Sequence, residues 1–490
     1  MAVAQRPEVE TRAEKMLIGG EWRDAPGGKT YTVKNPATGE PVGTVPDGGV
    51  AEARAAVEAA SAAFPAWAAL AAEKRSAVLY RAYNLMVERT EHLARVLTLE
   101  NGKPLGESRG EVGAAASYLL WAAEEAKRVY GRTIPASTEN KRLMTMRQPV
   151  GVVAAITPWN FPSSMITRKA GPALAAGCTI VLRPASQTPF SAIELFKIFQ
   201  EAGAPAGTVN IVTGRDSAGM GKELCTNPLV RKVTFTGSTD VGKLLLQYAS
   251  GTVKRTSMEL GGHAPFLVFE DADLDAAAAG VIASKFRNAG QTCICTNRLY
   301  VQREVADRFA EKVAARAKAL KVGNGLTDGV QIGPLIDERA REKVDDQVKD
   351  ALSKGATLLA GGHRLDEDGY SNGFFFEPTV INGATSEMKV ITEETFGPLL
   401  PIVAFDTEEE GIELANETPY GLAAYFYTRD LGRMFRVAEG LAYGIVGVND
   451  PIPTAAQLPF GGVKESGMGR ENGAEAIEAF LETKAVSIGI

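Results

Sequence analysis

Histidine and cysteine, which many metal sites and nucleophilic sites use, are scarce in this chain. The 490 residues contain three histidines and four cysteines, namely His92, His263, His363, Cys178, Cys225, Cys293 and Cys295. The histidines lie far apart and match no metal-binding spacing, so no metal site is predicted. A Cys–His hydrolase would have to recruit one of them, and none lies in a suggestive local setting. Four cysteines are also too few for a disulfide framework.

Excess positive charge and long apolar runs are absent as well. The formal net charge of −6 gives no basic surface for nucleic acid or an anionic membrane. No apolar stretch approaches the roughly 20 residues that span a bilayer. Residues 1–20 alternate in charge and lack the apolar core of a secretory signal. We therefore expect a cytoplasmic protein that binds neither nucleic acid nor membrane.

The pattern of apolar residues indicates several α/β units, and the length predicts two to four domains. Short β-type runs over 14–48 and a set of helices come first. After residue 150, apolar runs such as "GVVAAITPWNF" and "CTIVLRPAS" alternate with helical patterns, which predicts a parallel sheet. A second α/β series follows Gly262. The predicted helices are 50–64, which stops at Pro65, a pair within 72–102, 110–130, 191–202, 217–226, 240–249, 304–320 and 338–354.

The stretch "FTGSTDVGKLLL" resembles a phosphate-binding loop but departs from it at one position. It has the G-x-x-x-x-G-K spacing, yet Leu244 stands where a P-loop needs a hydroxyl for magnesium. Gly237 lies at a strand-to-helix bend, and Ser238 is placed to cap the helix. The free N–H groups of a helix start attract phosphate, although a plain glycine-capped turn fits the spacing equally well.

The stretch "NAGQTCICTNR", residues 288–298, surrounds Cys293 with small and polar residues. A thiolate nucleophile needs access and nearby positive charge, and Arg287 supplies a cation. By itself this pattern leaves two interpretations open: Cys293 is a nucleophile or a packing residue.

Other stretches place polar groups next to strands. In "TPWNFP", Asn160 follows an apolar strand, where its amide could donate to an oxyanion. In "SMELGG", Glu259 ends a strand, although such a residue is more often solvated than catalytic. In "EETFGP", Glu393 and Glu394 precede Phe396. These two residues either belong to a functional site or form an acidic pair at a helix start.

Taken together, these stretches resemble the aldehyde dehydrogenase superfamily from about residue 15 to the end. The motifs are "TPWNFP", "FTGSTDVG", "MELGG", "GQTCICTNR", "EETFGP" and "PFGGVKESGMGRE", in the family's order. Within the superfamily, "SKFRNAGQTCICTNRLYVQ" and "IGPLID" look most like succinate-semialdehyde dehydrogenases. The resemblance implies NAD(P)-dependent oxidation of a short aldehyde.

The resemblance also implies a mechanism. The Cys293 thiolate would attack the aldehyde carbon, and the Asn160 amide with the Cys293 N–H would hold the oxyanion. Hydride transfer to nicotinamide would leave a thioester, and Glu259 would activate water to hydrolyse it.

The implied cofactor contacts surround the strand ends. Ser238 and Trp159 would contact pyrophosphate, Gly237 and Gly242 would allow close approach, and Glu394 would hold the nicotinamide ribose. Phe396 would pack beside the nicotinamide, and Thr157 is a further implied cofactor contact. This chain has Arg183 where the family usually has Lys, and Ser186 where NAD-preferring members often have Glu. We therefore expect NADP to be accepted and preferred over NAD.

The implied substrate contacts are Arg168, Arg287 and Thr454, which would bind an anionic group far from the aldehyde. Succinate semialdehyde is the main prediction. The loop "NDPIPTAAQLPFGG" departs from the sequence that succinate-semialdehyde dehydrogenases usually have here. Glutarate semialdehyde or a sulfonated three-carbon aldehyde therefore remains an alternative substrate. A CoA-acylating enzyme is a further alternative, which Glu259 disfavours, and so is an inactive binding protein, which the intact Cys293 disfavours.

The second thiol, Cys295, suggests a redox switch, since animal succinate-semialdehyde dehydrogenases look similar here. In an extended segment Cys295 would point away from Cys293, so a disulfide would need a local rearrangement. A packing role is the alternative.

The resemblance implies an α/β fold with a Rossmann-like cofactor domain, an α/β catalytic domain and a small β oligomerisation arm. We assign 1–132, 151–262 and about 447–475 to the cofactor domain and 263–446 to the catalytic domain. Residues 133–150 and 476–490 would form the arm. The strand "NKRLMTMRQPV" has an open face that predicts pairing between subunits, in a homodimer or homotetramer.

Overall fold

The protein is described here by a computed structural model that covers residues 12–367 and 369–490. Residues 1–11 lie outside the described residues. Two predictions fall partly on these residues. They are the start of the cofactor domain and most of the segment that was predicted to lack a secretory signal.

The helices begin and end at recognisable signals. Pro162 and Pro189 occupy first-turn positions of two helices, where a proline loses no hydrogen bond. Gly102 and Gly177 end two helices in the left-handed conformation. The helices are α1 Val50–Ala68, α2 Ala72–Glu88, α3 Thr90–Asn101, α4 Leu105–Glu125, α5 Pro162–Ala176, α6 Pro189–Glu201, α7 Ser217–Thr226, α8 Thr239–Ser250, α9 Leu274–Phe286, α10 Arg303–Lys318, α11 Glu338–Ser353, α12 Lys389–Thr392, α13 Glu408–Asn416, α14 Leu431–Gly440 and α15 Glu475–Glu478.

Most strands are short and apolar. They are β1 Arg12–Ala13, β2 Met16–Ile18, β3 Glu21–Arg23, β4 Thr30–Lys34, β5 Pro41–Pro46, β6 Arg132–Ile134, β7 Lys141–Pro149, β8 Val152–Ile156, β9 Thr179–Arg183, β10 Val209–Ile211, β11 Val230–Thr236, β12 Arg255–Glu259, β13 Ala264–Val268, β14 Thr296–Gln302, β15 Thr357–Ala360, β16 Arg364–Leu365, β17 Phe375–Phe376, β18 Thr379–Asn382, β19 Leu399–Phe405, β20 Ala423–Tyr427, β21 Ile445–Val448, β22 Gly467–Met468 and β23 Leu481–Gly489.

Two large sheets organise the fold. In the first, the order is β22-β12-β11-β8-β9-β10-β2-β3, and its central strands β12 to β10 run parallel. In the second, the order is β15-β18-β19-β14-β13-β20-β21, parallel from β18 to β21. Apolar clusters cover both faces of each sheet, which explains their continuous apolar runs. The predicted α/β fold is confirmed.

The carboxyl ends of strands in the first sheet and the amino ends of strands in the second sheet lie at one common region. Asn160 and Ser238 follow the carboxyl ends of β8 and β11, and Glu259 is the last residue of β12. In the second sheet, Cys293 lies just before β14, and Glu394 lies just before β19. Segments that are distant in sequence therefore supply one site between the sheets.

The predicted arm segments pair with each other. β7 lies between β23 and β6, antiparallel to both, and nine residue pairs join β7 to β23, from Leu481 with Pro149 to Gly489 with Lys141. Met144 and Met146 on β7 are 40% and 47% exposed. The domain boundaries and the subunit pairing stay predictions, which this sheet supports.

The predicted carboxyl end of the first helix is wrong. Helix α1 continues through Pro65 to Ala68. Pro65 costs a backbone hydrogen bond, but the helix continues beyond it and buries Trp67, which is 1% exposed. In addition, "EETFGP" starts no helix, because Glu393 follows the carboxyl end of α12.

Among the described residues, no helix alone is long and apolar enough to cross a bilayer. Helices α1 and α2 satisfy that criterion only as a pair, which is bent by 120°.

Candidate active site

The loop before Cys293 has an unusual backbone. Asn288, Ala289 and Gly290 have φ values of 51°, 55° and 75°. The left-handed conformation is costly for the first two residues and is concentrated at functional sites in proteins. A Cβ on Gly290 would lie 2.2 Å from the Gly397 carbonyl oxygen, so the loop packs tightly against the segment before β19. This backbone presents Cys293 to two cavities.

The smaller cavity has a volume of about 300 Å³ and carries positive charge. Cys293 borders it together with Arg168, Arg287 and Thr454. The structure therefore brings together the three predicted substrate residues beside the predicted nucleophile.

Arg168 is held by aromatic residues. It is 5% exposed, its Nη2 donates to the Tyr118 hydroxyl at 2.8 Å, and its Cζ lies 4.2 Å from the Phe460 ring centroid. Burial opposes its charge, but Tyr118 and Glu471 raise the pKa of Arg168, so it remains a cation. Its Nε has no partner in the structure. A buried guanidinium with a free donor is suited to bind an anion.

Arg287 is the second cation of the small cavity. Its Cζ lies 5.3 Å from the Phe161 ring centroid, and its buried Nε also lacks a partner. Glu107 borders the same cavity, and burial raises the pKa of Glu107 to about 7. Thr454 is half-buried, and its N–H donates to the Ile452 carbonyl at 2.7 Å. The cavity thus has two guanidinium groups, the weakly ionising carboxyl group of Glu107 and the carboxyl group of Glu111, which pairs with Lys103.

Asn160 is fixed beside the thiol loop. Its Nδ2 donates to the Gln291 carbonyl at 3.1 Å, and its own carbonyl accepts from Asn288 Nδ2 at 3.0 Å. Asn160 is 3% exposed and borders the larger cavity with Cys293. One N–H of the amide is used by Gln291, which leaves the second available to a substrate oxygen.

Glu259 is buried without a hydrogen-bond donor. It is 2% exposed, and neither carboxyl oxygen has a partner in the structure. Burial and the neighbouring Glu471 raise its pKa well above the usual range, against the opposing charges of Lys169 and Arg168. A Cβ on Gly461 would lie 2.9 Å from Glu259 Oε1, so a glycine is needed there. The carboxyl group therefore holds a proton readily, as a general base must.

Burial raises the pKa of the Cys293 thiol to about 12, and Glu394 adds to this shift while Arg168 opposes it. Glu259 also raises this pKa, which shows that the two groups are electrostatic neighbours. At neutral pH the sulfur is therefore a thiol, and a base must remove its proton before it can attack.

The larger cavity has a volume of about 570 Å³ and is lined by predicted cofactor residues. Trp159, Gly237, Ser238, Glu394 and Phe396 all border it. The Trp159 and Phe396 rings meet edge to face at 5.6 Å. Ser238 is the residue before α8, but its side chain makes no capping bond, so the prediction that it caps the helix is wrong. The first N–H groups of α8 therefore remain free for an anion.

Glu394 is held by the segment that follows β12 of the first sheet. Its Oε1 accepts from the Gly262 N–H at 3.1 Å, and His263 Nε2 lies 2.8 Å from the Ile391 carbonyl oxygen. Burial raises the pKa of Glu394, while the Gly262 N–H and Lys343 oppose the shift. Phe396 has a φ of 54°, so this loop is also strained.

Four predicted cofactor residues do not border the larger cavity. Arg183 ends β9, where its Nη2 hydrogen-bonds to Ser217 and to the Gly214 carbonyl and its Nε has no partner. Ser186 donates to Gln187 Oε1 at 3.4 Å. Thr157 is 3% exposed, and its hydroxyl has no partner.

Gly242, the fourth, has a role in packing. A Cβ on Gly242 would lie 2.3 Å from Leu260 Cδ2, so the glycine allows α8 to approach the first sheet. The structure gives this packing reason for the glycine, and its close approach to pyrophosphate stays a prediction.

Cys295 is buried below the thiol loop. Its sulfur donates to the Gly290 carbonyl at 3.2 Å and lies 3.9 Å from Lys285 Nζ. The chain turns at 293–294, because the Cys295 N–H bonds to the Thr292 carbonyl. The assumption of an extended segment is therefore wrong, although Cys295 and Cys293 do have different surroundings.

The sequence did not reveal several residues of the site. Glu107, Glu111, Tyr118 and Phe460 border the small cavity, and Lys169 pairs with Glu471 beside Glu259. The four-residue spacing of Glu107 and Glu111 on α4 was a possible signal, but a solvated helix face gives the same pattern. Among the described residues, no three His, Cys, Asp or Glu side chains cluster as metal ligands. The absence of a metal stays a prediction.

A cysteine between a cationic cavity and a cleft with a free helix start defines an enzyme that acts on a small anionic substrate through its sulfur. The aldehyde dehydrogenase family model matches residues 22–486. The chain belongs to this family, so it is an NAD(P)-dependent oxidoreductase that acts on aldehydes. The family prediction is confirmed.

Curated relatives and a solved structure resemble nearly the whole chain. It is 55% identical to the succinate-semialdehyde dehydrogenase [NADP(+)] of Escherichia coli, over 97% of this chain and 98% of the relative. It is 53% identical to a glutarate-semialdehyde dehydrogenase (99% and 100% covered) and 55% identical to a 3-sulfolactaldehyde dehydrogenase (97% and 97%), both of Pseudomonas putida. The crystal structure of an E. coli NADP-dependent enzyme matches with a TM-score of 0.95 and 54% identity, covering 98% of each chain.

Proposed function

We propose that this enzyme oxidises a short aldehyde with a distal anionic group, and that succinate semialdehyde is its substrate. The observation that carries the proposal is the small cavity, where Arg168 and Arg287 face the same space as Cys293. The free Nε atoms of both guanidinium groups supply donors for a carboxylate. The names of the relatives point to the same substrate class.

The proposed chemistry begins at Cys293. Its sulfur attacks the aldehyde carbon after a neighbouring base takes the thiol proton, and the aldehyde oxygen becomes an oxyanion. The free N–H of Asn160 and the backbone N–H of Cys293 stabilise this oxyanion. Arg168 favours the thiolate, since its charge lowers the pKa of Cys293.

Glu259 is the proposed base. Its buried carboxylate has no competing hydrogen bond, so it can accept a proton from the thiol and later from the water that hydrolyses the thioester. The ion pair of Lys169 and Glu471 lies next to it, and these two charges shift its pKa in opposite directions.

The residues of the larger cavity fit a dinucleotide. The free start of α8 at Ser238 suits pyrophosphate, Glu394 suits a ribose, and Trp159 with Phe396 forms an aromatic wall. When bound, NAD(P) accepts the hydride that leaves the substrate carbon. The protein contributes position: Cys293 borders both cavities, so the carbon on its sulfur lies where the two meet.

NADP is the proposed preferred cofactor. Arg183 carries a planar guanidinium with a free Nε at the end of β9, and Ser186 adds no negative charge there. Comparing kcat/KM with NADP and with NAD tests this preference, and a clear preference for NAD would refute it.

An aldehyde panel tests the substrate. We expect the highest kcat/KM with succinate semialdehyde, lower values with glutarate semialdehyde and 3-sulfolactaldehyde, and the lowest with butyraldehyde, which lacks the anion. Equal turnover of butyraldehyde and succinate semialdehyde would refute anion recognition. A thioester product formed on addition of CoA would instead support the acylating alternative.

A homodimer or homotetramer is the proposed assembly, because the exposed Met144 and Met146 on β7 leave an apolar face uncovered. Sedimentation velocity tests it, and a monomer at micromolar concentration would refute it. A cytoplasmic location remains a prediction, which fractionation of cells tests.

A further inference from the structure

We propose that Lys103, Glu107 and Glu111 are positioning residues that hold the two halves of the oxyanion site together. The proposal rests on the roles proposed above for Asn160 and Cys293. Glu107 and Glu111 lie one turn apart on α4, and Lys103 lies four residues before Glu107. We call these three residues the charged brace.

Lys103 is buried and bound to the segment that carries the amide. It is 1% exposed, and its Nζ donates to the Asn160 carbonyl at 2.7 Å and to Glu111 Oε2 at 2.6 Å. Nζ also lies 3.8 Å above the Phe161 ring. A buried ion pair adds little net stability, since desolvation offsets the attraction. Its value here is the fixed position of the Asn160 carbonyl.

Glu111 holds the same segment from its other side. Its Oε1 accepts from the N–H groups of Ser163 and Ser164 at 2.9 and 3.2 Å, at the start of α5. One Lys–Glu pair thus fixes both Asn160 and the helix that follows it. Asn160 can then direct its amide to Gln291 and to the reacting oxygen.

Glu107 extends the brace to the thiol loop. Its Oε2 accepts from the Asn288 N–H at 2.8 Å, at a residue with left-handed φ. The Asn288 side chain donates back to the Asn160 carbonyl at 3.0 Å. The amide donor and the loop that carries Cys293 are therefore tied to one face of one helix.

The chain contains a matched control for this arrangement. Glu100 also accepts two N–H groups at a helix start, from Phe190 at 2.7 Å and Ser191 at 2.8 Å, both in the first turn of α6. It is fully buried like Glu111 but borders neither cavity. Burial raises the pKa of Glu100 to about 8, so Glu100→Gln mainly replaces an acceptor oxygen. This change should affect stability without affecting the oxyanion.

The test is a double-mutant cycle between the brace and the amide. We expect Lys103→Met to lower kcat/KM by about 10- to 100-fold, as loss of a supporting hydrogen bond does at other sites. In an Asn160→Ala background the same change should lower kcat/KM by less than about 3-fold, because the Asn160 amide that Lys103 positions is already absent. An equal loss in both backgrounds would overturn the proposal. KM for the cofactor should stay unchanged.

A second pair of variants keeps the test valid if Lys103→Met does not fold. We expect Glu111→Gln to lower kcat by about 10-fold, whereas Glu100→Gln should lower the melting temperature but leave kcat within about 3-fold. Equal effects of both variants on kcat would overturn the proposal. Turnover by the unmodified enzyme tests the proposed function separately. The loss in Lys103→Met should be alike for charged and uncharged aldehydes, since Lys103 borders neither cavity.

Discussion

Two cavities meet at Cys293, and they recognise their ligands by different means. The small cavity uses side-chain charge, from Arg168 and Arg287, which aromatic rings hold in place. The large cavity uses the free start of α8, small residues and the carboxylate of Glu394. The small cavity therefore suits an anionic group, whereas the large cavity offers the helix start and strand ends at which α/β folds bind nucleotides.

Removing the sulfur affects both cavities at once, and this change has the largest expected effect. We expect Cys293→Ser to lower kcat/KM by about 10⁴-fold or more, because loss of a nucleophile removes the covalent route. Formation of reduced nicotinamide measures this, and turnover near the parent rate would refute the mechanism. Binding of the dinucleotide should persist within about 3-fold, which serves as the control for folding.

Glu259→Gln affects the chemistry between the cavities without removing the sulfur. We expect steady-state turnover to fall by about 10³-fold, within the range of general-base catalysis. Rapid mixing should show no fast phase of reduced nicotinamide, because the same base takes the proton of the Cys293 thiol before attack. Unchanged steady-state turnover would contradict its role.

The raised pKa of Glu259 also predicts a pH dependence. The base must be deprotonated, and burial favours its protonated form, so kcat should rise with pH over a range above that in which an ordinary glutamate ionises. This rise should be absent from the residual activity of Glu259→Gln.

Arg168→Ala separates the two cavities. We expect kcat/KM for succinate semialdehyde to fall by about 10²-fold, since truncating one partner of a buried charge contact costs about 2 to 5 kcal/mol. For butyraldehyde the loss should be smaller but measurable, because Arg168 also lowers the pKa of Cys293. KM for the dinucleotide should not change. Equal losses with both aldehydes would refute anion binding by Arg168.

Ser186→Glu is the matching change on the cofactor side. We expect the ratio of kcat/KM for NADP to that for NAD to fall by about 10-fold or more, since a carboxylate repels the 2′-phosphate. Ser186→Ala is the control and should leave the ratio within about 2-fold. A constant ratio in the Glu variant would place the 2′-phosphate elsewhere.

Cys295→Ala has the smallest expected effect on turnover. The side chain borders neither cavity, so kcat should stay within about 2-fold. If the second thiol forms a redox switch, mild oxidation should inactivate the parent reversibly and leave this variant active. The same response in both proteins would assign Cys295 to packing.

The sequence predicted the two cavities unequally. The large cavity could be located because Trp159, Gly237 and Ser238 follow strand ends, which is where parallel sheets bind nucleotides. Arg168 was found through the resemblance alone, and so was the substrate role of Arg287. Tyr118, Phe460 and the charged brace were missed, because they come from helix faces and loops with no local signal.

By itself the sequence determined the α/β alternation and the residues at the strand ends, and the family resemblance predicted the nucleophile. These follow from local apolar periodicity, turn residues and one family pattern. The tertiary structure alone decided how charges separated by 100 residues or more act on each other, as Glu394 and Arg168 do on Cys293. The reason is that burial and distance in space set the strength of an electrostatic interaction, and neither can be read from sequence separation.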